Sequence, residues 1–271
     1  IRQLREIGNC MNTFDSQREG SGTHEWAEVT ENIARGCPHN CLYCYAAQNA
    51  KRFKLRDRAD WSREELTKRA DITSYPAREG VIMFPSAHDI TPFNVATYIR
   101  VARLMLEKGN RLLIVSKPHL DCVVKMCDAF EPFSSQILFR FTIGTTDDAT
   151  AKHWEPGAPS PSERIEALAY ANRRGYRTSV SAEPLLGGLE TAQALLEAVR
   201  PYVTDTVWIG KMNKIRTRVD MSDPVNAQEV AAIEAAQTDD EVRRMFKTLD
   251  GDPSIRWKDS VHEVMARAII N

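Results

Sequence analysis

Short apolar segments recur along the chain and alternate with stretches of helical periodicity. The segments are apolar on consecutive positions, which is typical of parallel strands that are buried on both faces. Their alternation with helices predicts an α/β protein with a parallel sheet. Six such strands are predicted, at Val29–Ala34, Val81–Pro85, Leu112–Ser116, Ile137–Ile143, Arg177–Ala182 and Thr206–Ile209.

The helices between these strands carry recognisable end signals. Ser62 and Glu65 form a capping-box pattern that predicts a helix start. Ser160 precedes a proline at the first helical position, and Gly175 ends that helix. After the sixth strand the pattern becomes helical, and a short segment interrupts it. Glu190–Arg200 is a predicted helix before the sixth strand. The predicted pieces after that strand are Pro224–Gln237, a helix capped by Thr238 that runs to Leu249, the segment Ser254–Lys258, and a final helix from Ser260.

Three cysteines, Cys37, Cys41 and Cys44, lie within eight residues directly after the first predicted strand. A [4Fe–4S] cluster has four irons, and three thiolates from one short loop can bind three of them and leave the fourth iron open. The C-x3-C-x2-C spacing therefore favours a cluster with a free coordination site. Two other interpretations stay open: a structural zinc site completed by His39, and a C-x-x-C redox pair.

The cysteine spacing, with the aromatic Tyr43 before the last cysteine, resembles the signature of the radical S-adenosylmethionine (SAM) enzymes. The resemblance implies a partial (β/α)6 barrel of the TIM type, here with a helical C-terminal extension. It also implies a [4Fe–4S] cluster whose open iron binds SAM, and reductive cleavage of SAM to a 5′-deoxyadenosyl radical. We expect an N-terminal arm over residues 1–27, the barrel over 28–218 and the extension over 219–271.

Polar residues cluster where the predicted strands end, and in such folds the active site lies at the carboxyl ends of the strands. Glu183 is a candidate for the ribose hydroxyls or the ammonium group of SAM, and Ser116 and Lys117 for its ribose or carboxylate. Gly210 would let the backbone approach the adenine. The full set of predicted SAM-binding residues is Tyr43, Ser86, Ser116, Lys117, Thr142, Ser181, Glu183, Gly210, Lys211 and Asn213.

The wider sequence resembles the spore photoproduct lyase-like, or DNA repair photolyase-like, subgroup of radical SAM proteins. The resemblance rests on residues 32–46, 88–92 and 209–213. The spore photoproduct lyases use a cysteine beyond the second strand as a hydrogen-atom donor, and the region Val81–Thr97 has none, so thymine-dimer repair does not carry over to this chain. Cys122 and Cys127 fall in a predicted helix and are expected to be buried. Cys10 lies in the N-terminal arm.

The composition is that of an ordinary globular protein, with 42% hydrophobic residues and a net charge of −1. The apolar runs are too short to cross a bilayer, and clustered cysteines without a disulfide pattern favour a reducing compartment. We therefore expect a cytoplasmic enzyme without a membrane partner. An electron donor such as flavodoxin or ferredoxin would be its protein partner.

Two basic clusters flank the predicted mouth of the barrel and favour a nucleotide, a nucleic acid or another phosphate-bearing substrate. Phe53 and Trp61 lie beside the first cluster, where either could stack on a base. The alternatives are a radical SAM enzyme that modifies a peptide or a small metabolite, a non-catalytic zinc-binding nucleic-acid module, and a family member without activity. The basic residues are Lys51, Arg52, Lys54, Arg56, Arg58, Lys211, Lys214, Arg216 and Arg218.

Overall fold

The computed structural model describes Phe14 and residues 22–267. Its main sheet has seven parallel strands in the order β1-β4-β5-β6-β7-β8-β9, and a separate two-stranded antiparallel ribbon pairs β2 with β3. The strands are β1 Val29–Thr30, β2 Ala34–Arg35, β3 Glu65–Leu66, β4 Val81–Met83, β5 Arg111–Ser116, β6 Ile137–Thr142, β7 Arg177–Ala182, β8 Val207–Ile209 and β9 Ile255–Trp257.

Helices follow most strands of the main sheet, which gives the repeating β/α units of a barrel with an open edge. The first strand and the last do not pair with each other, so the barrel is partial. The helices are α1 Tyr45–Arg52, α2 Val95–Leu106, α3 Leu120–Phe130, α4 Asp148–Trp154, α5 Pro161–Arg173, α6 Leu189–Val199, α7 Ile215–Arg218, α8 Pro224–Ala236, α9 Asp239–Leu249 and α10 Asp259–Arg267. The predicted fold class is confirmed.

The strands contribute to a large core with the inner faces of the helices, and alternate strand residues such as Val81, Leu113 and Leu138 form a second cluster on the other face of the sheet. Every residue of β4, β6 and β8 is buried, as expected for strands covered on both sides. The end signals predicted from the sequence are present: the Ser160 hydroxyl accepts a hydrogen bond from the Glu163 amide, and Thr238 accepts one from Glu241. None of the described helices is long and apolar enough to span a bilayer.

The region after the cysteines differs from the prediction. The capping-box interpretation of Ser62 and Glu65 was wrong, because Glu65 lies in β3 and pairs with Arg35 of β2. Arg56 forms an ion pair with Glu65 in this ribbon. These contacts come from residues distant in sequence, and they override a local helix signal that has no apolar periodicity behind it.

The predictions for the first and last strands of the sheet also differ from the structure. The predicted strand Val29–Ala34 is divided, because only Val29 and Thr30 pair with β4 while Ala34 joins β2. The short segment Ser254–Lys258 contains β9, which adds a seventh parallel strand beside β8. The C-terminal part of the chain therefore extends the barrel sheet as well as packing helices against it. The domain boundaries themselves stay a prediction.

Candidate active site

The three clustered cysteines lie on the loop between β2 and α1, at the carboxyl end of the sheet. Turn hydrogen bonds shape the loop: the Asn40 amide donates to the Cys37 carbonyl at 3.2 Å, and the Cys44 amide donates to the Cys41 carbonyl at 3.2 Å. The Cys37 amide donates to the Trp61 carbonyl at 2.8 Å. These bonds fix the spacing of the thiols before any ligand binds.

Two glycines let the surrounding chain approach this loop closely. Gly36 has a φ of +82°, and an added Cβ would lie 2.2 Å from the Arg63 carbonyl oxygen. Gly157 donates its amide to the His39 carbonyl at 3.0 Å, and a Cβ there would lie 2.1 Å from the Pro38 carbonyl oxygen. Side chains at either position would displace the loop.

Arg58 holds the loop through three hydrogen bonds. Its guanidinium donates to the carbonyls of Asn40 at 3.2 Å and Cys41 at 3.0 Å, and to the Asn40 side chain. Asn40 has a φ of +50°, a conformation that asparagine tolerates better than most residues. Arg58 thus satisfies carbonyls of a tight turn that would otherwise face the site.

Burial changes the acidity of the thiols. Desolvation raises the pKa of Cys41 to about 12 and, with the charge of Asp89, that of Cys37 well above its ordinary value. Cys44 is half-buried and caps α1, since its sulfur accepts a hydrogen bond from the Ala47 amide at 3.4 Å. The nearby charge of Lys117 lowers the pKa of Cys41, but burial outweighs it. Buried thiols are inert, so this loop would need a metal centre to make thiolates of them.

The placement of His39 argues against a zinc site made by three cysteines and this histidine. His39 is fully buried; its Nδ1 donates to Asp89 Oδ2 at 2.9 Å, and its Nε2 lies 2.9 Å from Nε2 of His119. Among the described residues, the metal-ligating atoms that lie within 4.8 Å of one another belong to Cys37, His39 and Asp89, not to the three cysteines. Tetrahedral zinc would need sulfurs about 3.8 Å apart. The three cysteines form no such compact set in the part of the chain that the structure describes.

Asp89 connects the cysteine loop to the end of β5. Its Oδ2 also faces Cys37 Sγ at 3.6 Å, while Oδ1 accepts from the Ser116 hydroxyl at 3.0 Å and the Lys117 amide at 2.6 Å. Burial raises the pKa of Asp89, but the charges of His39 and Lys117 and these hydrogen bonds outweigh burial and hold it well below its usual range. Asp89 is therefore ionised, and its hydrogen bonds connect His39 of the cysteine loop to Ser116 and Lys117 at the end of β5.

Glu155 is the second buried carboxylate of the site. It accepts a hydrogen bond from the Tyr43 hydroxyl, forms an ion pair with Arg164 at 2.5 Å and lies 3.8 Å from the Lys117 ammonium. The Lys117 ammonium also faces the Tyr43 ring, 5.6 Å from its centroid. Burial lowers the pKa of Lys117, but the negative groups around it outweigh burial and leave it raised. Lys117 is therefore a cation.

Some of the predicted SAM-binding residues are buried or hydrogen-bonded to other protein groups, and others are exposed. Ser116 is tied to Asp89, and Ser86 accepts a hydrogen bond from the Asn32 side chain at 2.8 Å. Thr142 and Ser181 are buried at the ends of β6 and β7. Asn213 is exposed beyond β8. All of them lie at the carboxyl ends of strands, as predicted, although their contact with SAM stays a prediction.

Glu183 and Gly210 meet at the ends of β7 and β8 with a partner that the sequence did not suggest. The Lys258 ammonium lies 3.2 Å from Glu183 Oε2, and a Cβ on Gly210 would lie 3.0 Å from Lys258 Cγ. The amide of Lys211 donates to the Ser260 hydroxyl at 3.1 Å. The C-terminal segment thus contacts three of the predicted SAM-binding residues.

Several residues of the two basic clusters form hydrogen bonds or ion pairs within the protein, and others are exposed to solvent. Arg58 holds the cysteine loop and Arg56 bonds the Arg35 and Arg63 carbonyls, while Arg216 pairs with Glu234. Lys51, Arg52, Phe53 and Lys54 at the end of α1 are exposed, whereas Trp61 is buried in the core. Cys122 and Cys127 are buried on α3, as predicted; Cys10 lies outside the described residues.

Comparison with known proteins agrees with this geometry. Residues 32–200 match the family model of the Radical SAM superfamily. The chain belongs to the radical SAM superfamily. Two uncharacterized proteins are similar: ORF301 of Acidianus two-tailed virus, 27% identical over 66% of this chain, and MJ0683 of Methanocaldococcus jannaschii, 26% identical over 65%. The match spans 63% of the viral protein's length and 67% of the archaeal one's.

Solved structures with the same fold include spore photoproduct lyase complexed with dinucleoside spore photoproduct. It has a TM-score of 0.57 and 16% identity, and the match covers 90% of this chain and 79% of the lyase. A double mutant of that lyase with bound AdoMet (SAM) and the same dinucleoside has a TM-score of 0.55 at the same identity and coverage. These likenesses show the fold.

Sequence reasoning about this radical SAM protein missed the residues that organise the site from a distance. Asp89 was visible only as part of a weak motif, and Glu155, Arg164 and Lys258 had no local signal at all. Most of the partners of these residues lie tens to hundreds of residues away, such as Glu25 for Lys258 and Tyr43 for Glu155, so no spacing rule reveals them.

Proposed function

We propose that Cys37, Cys41 and Cys44 hold a [4Fe–4S] cluster at which SAM is reductively cleaved, and that the protein is an active radical SAM enzyme. The observation that carries this proposal is that His39 is buried and that both of its ring nitrogens already have protein partners. With both ring nitrogens of His39 engaged by Asp89 and His119, three thiols are the ligands that the loop offers, and one iron stays open for SAM. When bound, the cluster supplies the electron that converts SAM to methionine and a 5′-deoxyadenosyl radical.

The protein's own residues would bind SAM, orient it and exclude water. Lys117 is a buried cation beside Cys41 that suits the SAM carboxylate. Glu183 is a carboxylate at the mouth that suits the ribose hydroxyls or the ammonium group. Arg218 donates to the Tyr43 carbonyl at 3.4 Å, which keeps the backbone of the last turn of the loop in place against the adenine. The remaining predicted contacts are Ser86, Ser116, Thr142, Ser181, Gly210, Lys211 and Asn213.

The substrate class that we propose is a nucleotide or a nucleic acid. Phe53 is 62% exposed and is flanked by the cations Lys51, Arg52 and Lys54. The Arg52 guanidinium lies 5.5 Å from the centroid of the Phe53 ring. An exposed aromatic ring among cations is the arrangement on which unpaired bases stack. The likeness in fold to spore photoproduct lyase, solved with a dinucleoside, supports the same class.

The test of the chemistry uses anaerobically reconstituted protein. We expect about four irons per chain and formation of 5′-deoxyadenosine from SAM after reduction with dithionite. The Cys41→Ala variant should lose both. Cys122→Ala is the matched control, because Cys122 is a buried cysteine on α3 away from the loop. Zinc in place of iron, or a cluster that never cleaves SAM, would contradict the proposal and leave a binding module.

The substrate class is tested by binding of single-stranded oligonucleotides. Stacking of one base on an aromatic ring is worth about 1–3 kcal/mol, so Phe53→Ala should weaken binding by about tenfold. Phe93→Ala is the control, since Phe93 is 61% exposed and its neighbours are Pro92 and Asn94. Equal affinities of the two variants would remove the nucleic-acid assignment and leave a peptide or small metabolite as substrate.

A further inference from the structure

Lys258 is a buried cation at the end of β9 with three acceptors around it. Its ammonium lies 2.6 Å from Glu25 Oε1, 3.2 Å from Glu183 Oε2 and 3.0 Å from the Gly22 carbonyl oxygen. An ammonium group has three donors, so these acceptors use all of them. Lys258 is thus saturated by the protein and does not itself serve as a ligand for a substrate anion.

Aromatic rings surround this cation and exclude water from it. The ammonium lies 4.0 Å from the centroid of the Trp26 ring and 5.8 Å from that of Trp208. The Arg140 guanidinium faces the same two rings, at 4.9 Å and 5.1 Å. Lys258 forms the ion pairs with Glu25 and Glu183, and it does so in surroundings where an unpaired charge would be costly.

Glu183 is the member of this cluster that reaches the mouth of the barrel. Its side chain is 27% exposed, whereas those of Lys258 and Glu25 are 1% exposed. It directly follows β7, at the carboxyl edge of the sheet where the cysteine loop also lies. One end of the ion cluster is therefore anchored in the core, and the other presents a carboxylate to the proposed SAM site.

The backbone around the cluster is fitted to this arrangement. A Cβ on Gly210 would lie 3.0 Å from Lys258 Cγ and 3.1 Å from Glu183 Cγ, closer than most Cβ contacts. The Lys258 amide donates to the Ile209 carbonyl at 3.0 Å. The side chains of Lys258 and Glu183 therefore pack directly over Gly210, and the end of β8 holds the C-terminal segment in register with β7.

From these contacts we infer that Lys258 is a positioning residue that orients the Glu183 carboxylate for SAM, so that one side chain of the C-terminal part of the chain supports the cofactor site. The inference rests on the proposed function. A carboxylate that is free to rotate loses part of its hydrogen bonding to a ligand, because the ligand must then order it. Lys258 fixes the carboxylate in advance without contacting SAM.

The experiment measures the dissociation constant of SAM by equilibrium dialysis against protein loaded with the oxidised cluster. Glu183→Gln and Lys258→Met should each weaken SAM binding by about tenfold, the loss expected for one charge-assisted hydrogen bond. The double variant should also lose about tenfold rather than about a hundredfold, because both changes remove the same interaction. Lys258→Arg should recover most of the affinity.

A purely structural role for Lys258 would give a different result. Arg256→Met is the matched control, since Arg256 on β9 bonds only its neighbouring carbonyls of Pro253 and Ile255 among described partners. It should bind SAM like the parent. Additive losses in the double variant, or unchanged SAM affinity of Lys258→Met at parental iron content, would overturn the inference.

The unpaired Glu25 carboxylate could prevent Lys258→Met from folding, and a second variant addresses this. Glu25→Gln combined with Lys258→Met removes the buried charge and its partner together, and should restore the unfolding temperature but not SAM affinity. Restored affinity would contradict the inference. Failure of the parent protein to bind SAM would instead contradict the proposed function, so the two failures are distinguishable.

Discussion

Arg164 on α5 offers a quantitative test of the buried network beside the cysteine loop. Its side chain and that of Glu155 are each 1% exposed, and Nη1 lies 2.5 Å from Glu155 Oε2. The guanidinium also donates to the carbonyls of Pro159 at 2.8 Å and Thr142 at 3.3 Å. Arg164→Met removes these bonds while keeping most of the apolar volume.

The expected loss of stability follows from the charge that the substitution leaves behind. Removing one partner of a buried ion pair costs about 3–5 kcal/mol, because the other charge stays desolvated. Lys117 remains 3.8 Å from Glu155 and limits the loss to that range. The two carbonyls add to it, but not independently. We therefore expect Arg164→Met to lower the free energy of unfolding by about 4 kcal/mol.

Urea unfolding measures this loss. With a slope of about 3 kcal/mol/M, the midpoint should fall by more than about 1 M. Arg174→Met is the control: Arg174 ends the same helix and pairs with Asp128, whose side chain is 62% exposed. Exposed pairs contribute little, so its midpoint should stay close to the parent value.

Two outcomes would refute this account of the network. One is an Arg164→Met protein as stable as Arg174→Met, which would mean that the buried pair is not formed. The other concerns the double variant with Glu155→Gln, which removes the stranded charge and should recover part of the lost stability. A double variant less stable than Arg164→Met would show that the carboxylate was not the cause.

Further predictions concern the loop and its neighbours. Gly157→Ala should reduce bound iron severalfold, because its Cβ would lie 2.1 Å from the Pro38 carbonyl oxygen, whereas Gly251→Ala, with open space around it, should not. His88 accepts a hydrogen bond from the Ile33 amide, and burial lowers its pKa. Its contribution to stability is therefore present above an imidazole's ordinary pKa of about 6.5 and is lost as pH falls through the lower, folded value. His88→Gln should flatten this dependence in urea midpoints measured from neutral to acidic pH, and an unchanged profile would exclude His88 as its source.

The sequence allowed most of the barrel to be predicted, because its strands are buried on both faces. Continuous apolar segments such as those of β4 and β5 need no partner to be recognised. The ribbon of β2 and β3 was missed, since two-residue strands have no periodicity and owe their form to pairing between Arg35 and Glu65. β9 was seen as a short segment, but its place beside β8 depends on tertiary packing.

The residues of the candidate site likewise divide into those that the sequence predicted and those that it did not. The cysteines and the polar strand ends were predictable, because ligand spacing and the position of an active site on a parallel sheet are local or topological rules. The side chains that orient them were not. Glu155 had no predicted role, and Lys258 was placed only in a short C-terminal segment, yet each pairs with charges from other elements. The partners in a buried ion pair are brought together by the fold, so a local sequence pattern does not identify them.

The carboxylates of Asp89, Glu155 and Glu183 differ in how many protein groups already donate to them. This difference indicates a different role for each. Asp89 accepts from His39, Ser116, Lys117 and Cys37, which fills both of its oxygens. Glu155 is fully buried among Tyr43, Lys117 and Arg164. Glu183 has one ion-pair partner and remains partly exposed. Of these three carboxylates, Glu183 is therefore the one that a new ligand can reach. Substitution there should therefore weaken SAM binding at unchanged iron content, whereas substitution of Asp89 should disturb the cysteine loop and the cluster itself.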